Sequence, residues 1–296
     1  MELINIYETK NKYNTKNWDT EHTFKYLFDV DSKLVEIGYF IHYKSGVEVK
    51  KVIELSSSYG CPMKCKFCAS EKINDFKLLK SEDLLAIVDY LFCVNNLSDL
   101  EQIVVPITGI GDLYFTIDAV VNFIIASKTK YPNLVFDVST IKLNQKTMEA
   151  LSQFKDSNWI RNIQITFVGK DDQTVNLSNY LKKEKYNFEE IVSLIQNSAF
   201  NNFRINYVMI ENINDGEETF QYFIKSIISI KKQIKVRISK INETNTSIFY
   251  GLMPPKNERL ERLNILLEQE KIDSYIFYSL ENDNMNCGQL ISEVNC

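Results

Sequence analysis

The sequence predicts an α/β fold, a partial (β/α)6 barrel preceded by a small N-terminal antiparallel β extension. Apolar, β-branched runs alternate with segments of helical period over most of the chain. Strand-like runs separated by turn signals fill the region before the first of these units. Six strand-then-helix units and one last strand imply parallel pairing with right-handed crossovers, and therefore a curled sheet.

The individual elements follow from local patterns. The N-terminal extension is predicted over residues 24–49, with turns at Asp31-Ser32 and at Lys44-Ser45-Gly46. The strands of the barrel are predicted at VIELS, QIVVPI, LVFDVST, IRNIQITF, FRINYVMI, IKVRIS and SYIFYSL. The helices are predicted at SEDLLAIVDYLFCV, with Ser81 as its N-cap, and at TIDAVVNFIIASK, QKTMEALSQF, NFEEIVSLIQNS, DGEETFQYFIKSI and KNERLERLNILLEQE. We therefore expect two units, the β extension at 1–50 and the barrel at 51–296.

Composition and charge limit the classes of protein to consider. The 296 residues are 45% hydrophobic and 25% charged, as is usual for a globular protein. The net charge of -5 gives no overall attraction to nucleic acid. No apolar run has the length of a signal peptide or a membrane span, so we expect a cytoplasmic protein with no membrane partner. In that compartment clustered cysteines bind metal or react more often than they form disulfides.

Three of the six cysteines lie close together in SSSYGCPMKCKFCAS, with the spacing C-x3-C-x2-C at Cys61, Cys65 and Cys68. Three thiolates can bind three irons of a [4Fe-4S] cluster and leave the fourth iron without a protein ligand. A molecule with an amine and a carboxylate, such as S-adenosylmethionine (SAM), can chelate that iron. The alternative is a zinc site, which would need a distant fourth ligand such as His42 or Cys93.

Residues that follow later strands are candidates for binding SAM. The turn TGIGD contains Gly109 and Gly111, which would allow close approach of the backbone to a ligand, and Asp112, whose carboxylate would bind an ammonium group. Ser139, in the third strand run, and Asn242, after the sixth, occupy equivalent strand-end positions. The alternative for all of these residues is an ordinary turn or N-cap.

Cys287 lies far from the other cysteines, in the polar sequence NDNMNCGQLISEV after the last predicted strand. An Asn-rich loop followed by glycine is an unusual setting for a buried structural thiol. We therefore expect Cys287 to project over the same end of the barrel as the cysteine loop. By contrast, Cys93 falls on the apolar side of its predicted helix and is interpreted as a core residue.

The cysteine loop resembles the signature of the radical SAM superfamily, including the aromatic Phe67 before the last cysteine. Together with TGIGD, VST, NYVMIENINDGEE and the terminal NCGQL, it resembles the RlmN/Cfr family of adenine methyltransferases over residues 33–296. The resemblance implies that Cys287 carries a methyl group obtained from one SAM. A second SAM, cleaved by the cluster to a 5'-deoxyadenosyl radical, would activate that methyl group for addition to an electron-poor sp2 carbon. Glu36 is similar in placement to a family glutamate near the reacting carbon.

Several positions depart from the family pattern. The family has a second cysteine seven residues before the first cluster cysteine, where this chain has Glu54. A carboxylate cannot form the disulfide that releases the product, although it can act as a base. Val168 replaces a histidine, and GIGDL at residues 109–113 replaces Gly-x-Gly-Glu-Pro. The segment before the β extension is too short for the family's separate RNA-binding domain, so RNA is disfavoured as a substrate.

Three functions are compatible with these residues. The first is methyl transfer from Cys287 to a small molecule or a peptide, with Glu54 as a base. The second is direct hydrogen abstraction from the substrate, with the Cys287 thiol returning a hydrogen atom as in an epimerase. The third is a sensor that binds cluster and SAM without turnover. For the enzymes, the chemistry implies flavodoxin or ferredoxin as the electron donor.

Overall fold

The N-terminal region is an antiparallel meander. The structure, a computed structural model, describes residues 1–12, 17–97, 102–278 and 291. The first four strands are β1 (Glu2–Lys12), β2 (Thr20–Val30), β3 (Lys33–Lys44) and β4 (Val47–Glu54). The turns at Asp31-Ser32 and Ser45-Gly46 have positive φ at both central residues, which matches the twist of two-residue hairpins. Both predicted turns are confirmed.

Strand β1 was not predicted from the sequence. Its residues are largely exposed and polar, and they pair with β2 from Glu2 opposite Asp29 to Lys12 opposite Thr20. An edge strand of this kind buries too little apolar surface to show a clear alternating pattern. Its extended conformation depends on the neighbouring strand, which a local pattern does not reveal.

The parallel part of the sheet follows the predicted strands closely. A short hairpin, β5 (Ser58–Tyr59) with β6 (Lys77–Leu78), precedes it. The remaining strands are β7 (Ile103–Ile107), β8 (Leu134–Thr140), β9 (Ile160–Phe167), β10 (Phe203–Met209), β11 (Ile234–Lys240) and β12 (Ser274–Ile276). Residues 279–280 of the last predicted strand lie outside the described residues.

The strands form one ten-stranded sheet in the order β1-β2-β3-β4-β7-β8-β9-β10-β11-β12. Strand β4 pairs antiparallel with β3 and parallel with β7, and every later pair through β12 is parallel. The sheet is open between β1 and β12, so the barrel is partial, as predicted. Because β4 belongs to both parts, the antiparallel meander continues directly into the barrel.

Helices alternate with the strands along the chain, and the longer ones pack against the sheet. They are α1 (Ser81–Val94), α2 (Leu113–Lys130), α3 (Gln145–Ser152), α4 (Asp171–Leu177), α5 (Asn179–Lys183), α6 (Phe188–Gln196), α7 (Glu217–Ile227), α8 (Asn245–Phe249) and α9 (Asn257–Gln269). The N-cap of α1 is Lys80 and not Ser81, because the Asp83 carboxylate accepts the Lys80 amide at 3.1 Å and extends the first turn. The short helices α4, α5 and α8 were not predicted, since each has too few residues for a helical period to appear.

The two faces of the barrel strands differ in polarity. In β8, Phe136 and Val138 point outward and are fully buried against the helices, whereas Asp137 and Ser139 point inward. Residues alternate between the two faces of a strand, so the same division continues along the sheet. The apolar core therefore lies between sheet and helices, and the interior of the barrel contains polar and charged groups.

Candidate active site

The TGIGD turn is fastened to the segment that leads into the cysteine loop. The amide of Gly109 donates to the carbonyl of Leu55 at 3.0 Å, and the amide of Ile110 donates to Ser56 Oγ at 3.0 Å. A Cβ atom at Gly109 would lie 2.7 Å from Ser56 Oγ, and one at Gly111 would lie 2.5 Å from Ser57 Oγ. The glycines therefore permit the close approach of two backbone segments, one of which positions the cysteines.

Asp112 serves as the N-cap of α2. Its carboxylate accepts hydrogen bonds from the Tyr114 amide at 2.9 Å, the Thr140 hydroxyl at 2.6 Å and the Ile141 amide at 2.9 Å. Burial raises the pKa of Asp112 to about 6, against the opposing effect of these hydrogen bonds. The residue thus joins the turn to the end of β8, and its predicted role toward an ammonium group stays a prediction.

The cysteine loop is closed at its base by the β5–β6 hairpin and braced from within. The Lys64 ammonium donates to the carbonyls of Glu71 and Ile73 at 2.5 and 2.6 Å. The hydroxyl of Ser178, the residue that precedes α5, donates to the carbonyl of Met63 at 2.5 Å. These contacts fix the fold of the loop, so the three cysteines occupy defined positions at the carboxyl end of the strands.

The donor set fits a cluster better than a single zinc ion. Burial raises the pKa of the thiols of Cys61, Cys65 and Cys68, so a positively charged metal centre is needed to stabilise three thiolates there. Within the described ranges, no three His, Cys, Asp or Glu side chains converge on one ion position. A [4Fe-4S] cluster instead binds each cysteine through a different iron.

Neither distant zinc ligand supports the alternative. The Nε2 atom of His42 lies 2.7 Å from the carboxylate of Glu21, inside the β extension. Cys93 is exposed at the end of α1, so its interpretation as a core residue was wrong. The buried stripe of α1 ends with Leu91 and Phe92, and the helix has turned Cys93 outward by its last residues.

One cavity joins the cysteine loop to the interior of the barrel. Its volume is about 380 Å³, which is within the usual range for small-molecule sites. Five residues predicted for the site line it, namely Glu54, Phe67, Cys68, Ser139 and Asn242. Side chains that were not predicted add polar groups deeper in the barrel, namely Gln164, Thr166, Asn206, Arg237 and Ser239. They were missed because inward-facing polar residues of a parallel barrel look like the solvent-facing positions of an amphipathic strand.

A buried lysine bridges the two predicted catalytic carboxylates. Lys25 Nζ lies 3.1 Å from Glu36 Oε1 and 3.0 Å from Glu54 Oε2, and the side chain of Lys25 is 1% exposed. The Thr108 hydroxyl donates to the other oxygen of Glu54 at 3.0 Å. The structure thus brings Glu36 and Glu54 together, although they are on different strands. Lys25, which was not predicted from the sequence, lies between them.

Ile291, a described residue near the C-terminus, contacts this group. Cys287 lies outside the described residues, but Ile291, four positions later, is fully buried against Leu27, Ile73 and Ile110. The amide of Ile291 donates to Glu36 Oε2 at 3.4 Å. A described residue close to Cys287 in sequence therefore contacts a predicted catalytic carboxylate.

Comparison with known proteins gives consistent relatives. No protein-family model matches the chain. A protein of Pseudothermotoga lettingae described as a probable dual-specificity RNA methyltransferase RlmN is 25% identical over 281 residues, covering 91% of this chain and 76% of that protein. A protein of Microcystis aeruginosa with the same description is 25% identical over 260 residues, covering 83% of this chain and 71% of that protein.

Solved structures agree on the fold. A radical SAM methyltransferase from Sphaerobacter thermophilus superposes with a TM-score of 0.74 at 17% identity, over 96% of this chain and 80% of that chain. Streptococcus suis SuiB bound to S-adenosylmethionine superposes with a TM-score of 0.54 at 17% identity, over 77% of this chain and 50% of that chain. In the described part of the chain no helix is long and apolar enough to cross a membrane. With its cysteine loop and its partial barrel, the chain is an enzyme that uses a [4Fe-4S] cluster and SAM, and it is similar in sequence to the RlmN methyltransferases and in fold to a radical SAM methyltransferase.

Proposed function

We propose that this enzyme transfers a one-carbon unit from S-methylated Cys287 to an sp2 carbon of a small-molecule or peptide substrate. The observation that carries the proposal is the hydrogen bond from the Ile291 amide to Glu36, 3.4 Å long, beside Lys25 and Glu54. Four residues of chain span at most about 14 Å, and we propose that the Cys287 thiol reaches these carboxylates within that limit. Glu54 lines the same cavity as Cys68 of the cysteine loop.

The residues of the site would contribute in different ways to holding the cofactors. Cys61, Cys65 and Cys68 would hold the cluster, and the strand-end residues Ser139 and Asn242 face the cavity where SAM would lie. When bound, these cofactors supply the methyl group and the radical that activates it. Phe67, also at the cavity, would cover one side of them. Gly109, Gly111 and Asp112 would act by positioning the cysteine loop and the end of β8, in addition to any contact with SAM.

Glu54 would act as the base that lets the product leave. No cysteine stands at this position, so release cannot use the disulfide of the related family. A carboxylate that accepts from both Lys25 and Thr108 is fixed in orientation, as a base in a site must be. We propose that one electron from flavodoxin or ferredoxin and one proton first convert the radical adduct into a closed-shell thioether. Glu54 then removes the proton from the substituted carbon as Cys287 leaves as a thiolate, and the exocyclic methylene so formed takes up a proton to become the methyl group.

The test is a peptide mass spectrum of protein reconstituted anaerobically with iron and sulfide and incubated with methyl-deuterated SAM. We expect one labelled methyl group on Cys287 and none on Cys93, whose exposed thiol controls for non-specific alkylation. An unlabelled Cys287, in protein that retains its cluster and binds SAM, would overturn the proposal and favour direct hydrogen abstraction. Counting SAM gives an independent answer, since methyl transfer consumes two molecules per turnover and direct abstraction requires one.

RNA is the second candidate substrate, because the relatives in Pseudothermotoga lettingae and Microcystis aeruginosa are described as RNA methyltransferases. Incubation of the methylated enzyme with ribosomal and transfer RNA separates the two. We expect label to remain on Cys287 when only RNA is added, since the net charge of -5 opposes binding to a polyanion. We also infer a cytoplasmic location and a flavodoxin or ferredoxin as electron donor, because the chemistry needs reduced thiols and single electrons.

A further inference from the structure

The interior of the barrel contains several buried cations, and most of them are paired. Lys25 is bridged by Glu36 and Glu54. Arg161 and Arg204 both reach the carboxylate of Asp137, at 2.5 and 3.7 Å. Pairing of this kind is the usual condition for a charge inside a protein, because an isolated charge loses its hydration without compensation.

Arg237, on β11, lines the cavity without a carboxylate partner among the described residues. Its guanidinium lines the cavity and stacks on Phe277, 3.6 Å from the centre of that ring. The buried Nε atom has no hydrogen-bond partner, and no carboxylate of the described ranges lies within ion-pair distance of the side chain. Burial lowers the pKa of Arg237 to about 10, which still leaves the group charged at neutral pH.

A second unused donor lies beside it. Asn206 on β10 is in register with Arg237 and also lines the cavity. The Asn206 side-chain oxygen accepts the Ser239 hydroxyl at 3.0 Å, which leaves the amide nitrogen available as a donor. Two neighbouring strands therefore place N–H donors in register at the same cavity.

The depth of this position separates it from the cysteine loop. Arg237 is three residues before the end of β11, which corresponds to about 10 Å along a strand. The amino and carboxylate groups of SAM would bind at the iron held by the cysteine loop, at the carboxyl ends of the strands. A second anionic group at this depth would give Arg237 the counter-charge that the described residues do not supply.

We propose that Arg237 and Asn206 bind the carboxylate or phosphate group of a small-molecule substrate. This inference rests on the proposed function, whose substrate class it narrows from a small molecule or peptide to an anionic small molecule. The aromatic side chains of Phe40 and Phe277 flank the cavity, and the guanidinium can bind either oxyanion through two parallel hydrogen bonds.

The test measures equilibrium binding to the reconstituted enzyme with SAM present, so it does not depend on turnover or on Cys287. The probes are benzoate and phenyl phosphate, with benzamide as the uncharged analogue of the same shape. Arg237→Met removes the charge, Arg237→Lys keeps it without the planar fork, and Arg262→Met, on the exposed face of α9, is the matched control. Binding is followed by calorimetry, and SAM affinity is measured separately on each variant.

We expect the wild type to bind at least one of the two anions more tightly than benzamide, and the preferred anion identifies the group. Arg237→Met should weaken that anion about tenfold to a hundredfold, which is the usual value of a charged hydrogen bond, and should leave benzamide and SAM affinity unchanged. The anion affinity of Arg237→Lys should lie between that of the wild type and that of Arg237→Met. The anion affinity of Arg262→Met should equal that of the wild type.

The thermal stability of Arg237→Met is a second measurement, and it does not depend on ligand binding. Removal of an unpaired buried charge should raise the unfolding temperature of ligand-free Arg237→Met above that of the wild type. Two results would overturn the proposal. The first is that the wild type binds the anions and benzamide equally well. The second is that Arg237→Met loses affinity for SAM while its anion binding is intact, which would assign Arg237 to SAM.

Discussion

Lys25 illustrates how a single residue can change character on folding. In FKYLFDV it stands among alternating residues, where a lysine normally faces solvent. In the structure β2 lies against the barrel, and Lys25 points into it between two carboxylates. Lys25 therefore forms ion pairs with two carboxylates from two other strands.

Replacement of Lys25 by methionine should be strongly destabilising. Glu36 and Glu54 would then lose their shared cation in a buried setting, and we expect the free energy of unfolding to fall by about 3 kcal/mol. Urea unfolding measures the change. The control is Lys33→Met, which removes a lysine that pairs with exposed Asp75 and should change stability by less than about 1 kcal/mol. Adding Glu36→Gln to Lys25→Met should recover part of the loss, and an unchanged stability in Lys25→Met would contradict the bridge.

Lys50 gives a prediction about pH. Burial, followed by repulsion from Arg161, lowers the pKa of Lys50 to about 8 from its usual 10.5. Between these values the unfolded chain binds more protons than the native protein, so the contribution of Lys50 to stability rises with pH across this window. Lys50→Met should therefore be more stable than the wild type near pH 7, and this advantage should shrink toward pH 10.

The measurement is urea unfolding at several pH values between these limits. Lys51→Met is the control, because Lys51 is the neighbouring lysine of β4 and pairs with Glu48 at 2.8 Å. It should show no comparable change with pH. A constant difference between Lys50→Met and the wild type would mean that Lys50 keeps its ordinary pKa.

Among the elements, the turn after β7 has the clearest structural role. It forms hydrogen bonds with residues 55–58, and that segment continues into the cysteine loop. The sequence predicted that the glycines of this turn approach a ligand. In the structure they approach the backbone and hydroxyl groups of the neighbouring segment, so the turn and the cysteine loop form one unit.

Gly109→Ala tests this unit. The added Cβ would meet Ser56 Oγ at 2.7 Å and the Leu55 carbonyl at 2.8 Å, so the two segments must separate. We expect a loss of about 1–3 kcal/mol of stability, as for other overpacked sites, together with reduced iron and sulfide after reconstitution. Gly216→Ala is the matched control, since no atom lies within 4 Å of its Cβ position. Full cluster content in Gly109→Ala would show that the turn does not position the cysteines.

For the whole molecule, the notable contact joins the end of the chain to its beginning. Ile291 packs in a small apolar cluster with Leu27, Ile73 and Ile110, apart from the main core. These residues come from β2, from the cysteine loop and from the TGIGD turn. One side chain near the C-terminus therefore connects the β extension, the cysteine loop and the barrel.

Ile291→Ala should weaken this connection. Truncation of a fully buried isoleucine costs about 2 kcal/mol or more, and here the loss would loosen the segment that contains Cys287. We expect slower methylation of Cys287 by SAM, followed by mass spectrometry, with the cluster content unchanged. Ile248→Ala removes an isoleucine that is 58% exposed and serves as the control. Equal methylation rates in the two variants would argue against docking of the tail through Ile291.

The sequence determined the order of the elements and the metal chemistry. Alternation of apolar runs with helical periods located all seven barrel strands, because those strands are buried on one face by helices and carry a strong local signal. The spacing of the three cysteines identified the cluster loop, since a local loop must supply all three ligands. Sequence patterns did not predict β1 or the short helices α4, α5 and α8, because the conformation of these elements depends on the neighbouring elements.

Only the tertiary structure decided what surrounds the reaction. Glu36 and Glu54 could be named from the sequence, but their bridge through Lys25 joins three strands and has no local signature. The same holds for Arg237, whose inward direction and missing partner depend on how far the sheet curls. In a parallel barrel with a polar interior, polar and apolar residues alternate along each strand, as they do in a strand with one face in solvent. Sequence alone therefore cannot distinguish residues that face the interior from residues that face solvent. The curvature of the sheet makes that distinction, and it thereby places the charged side chains that line the cavity.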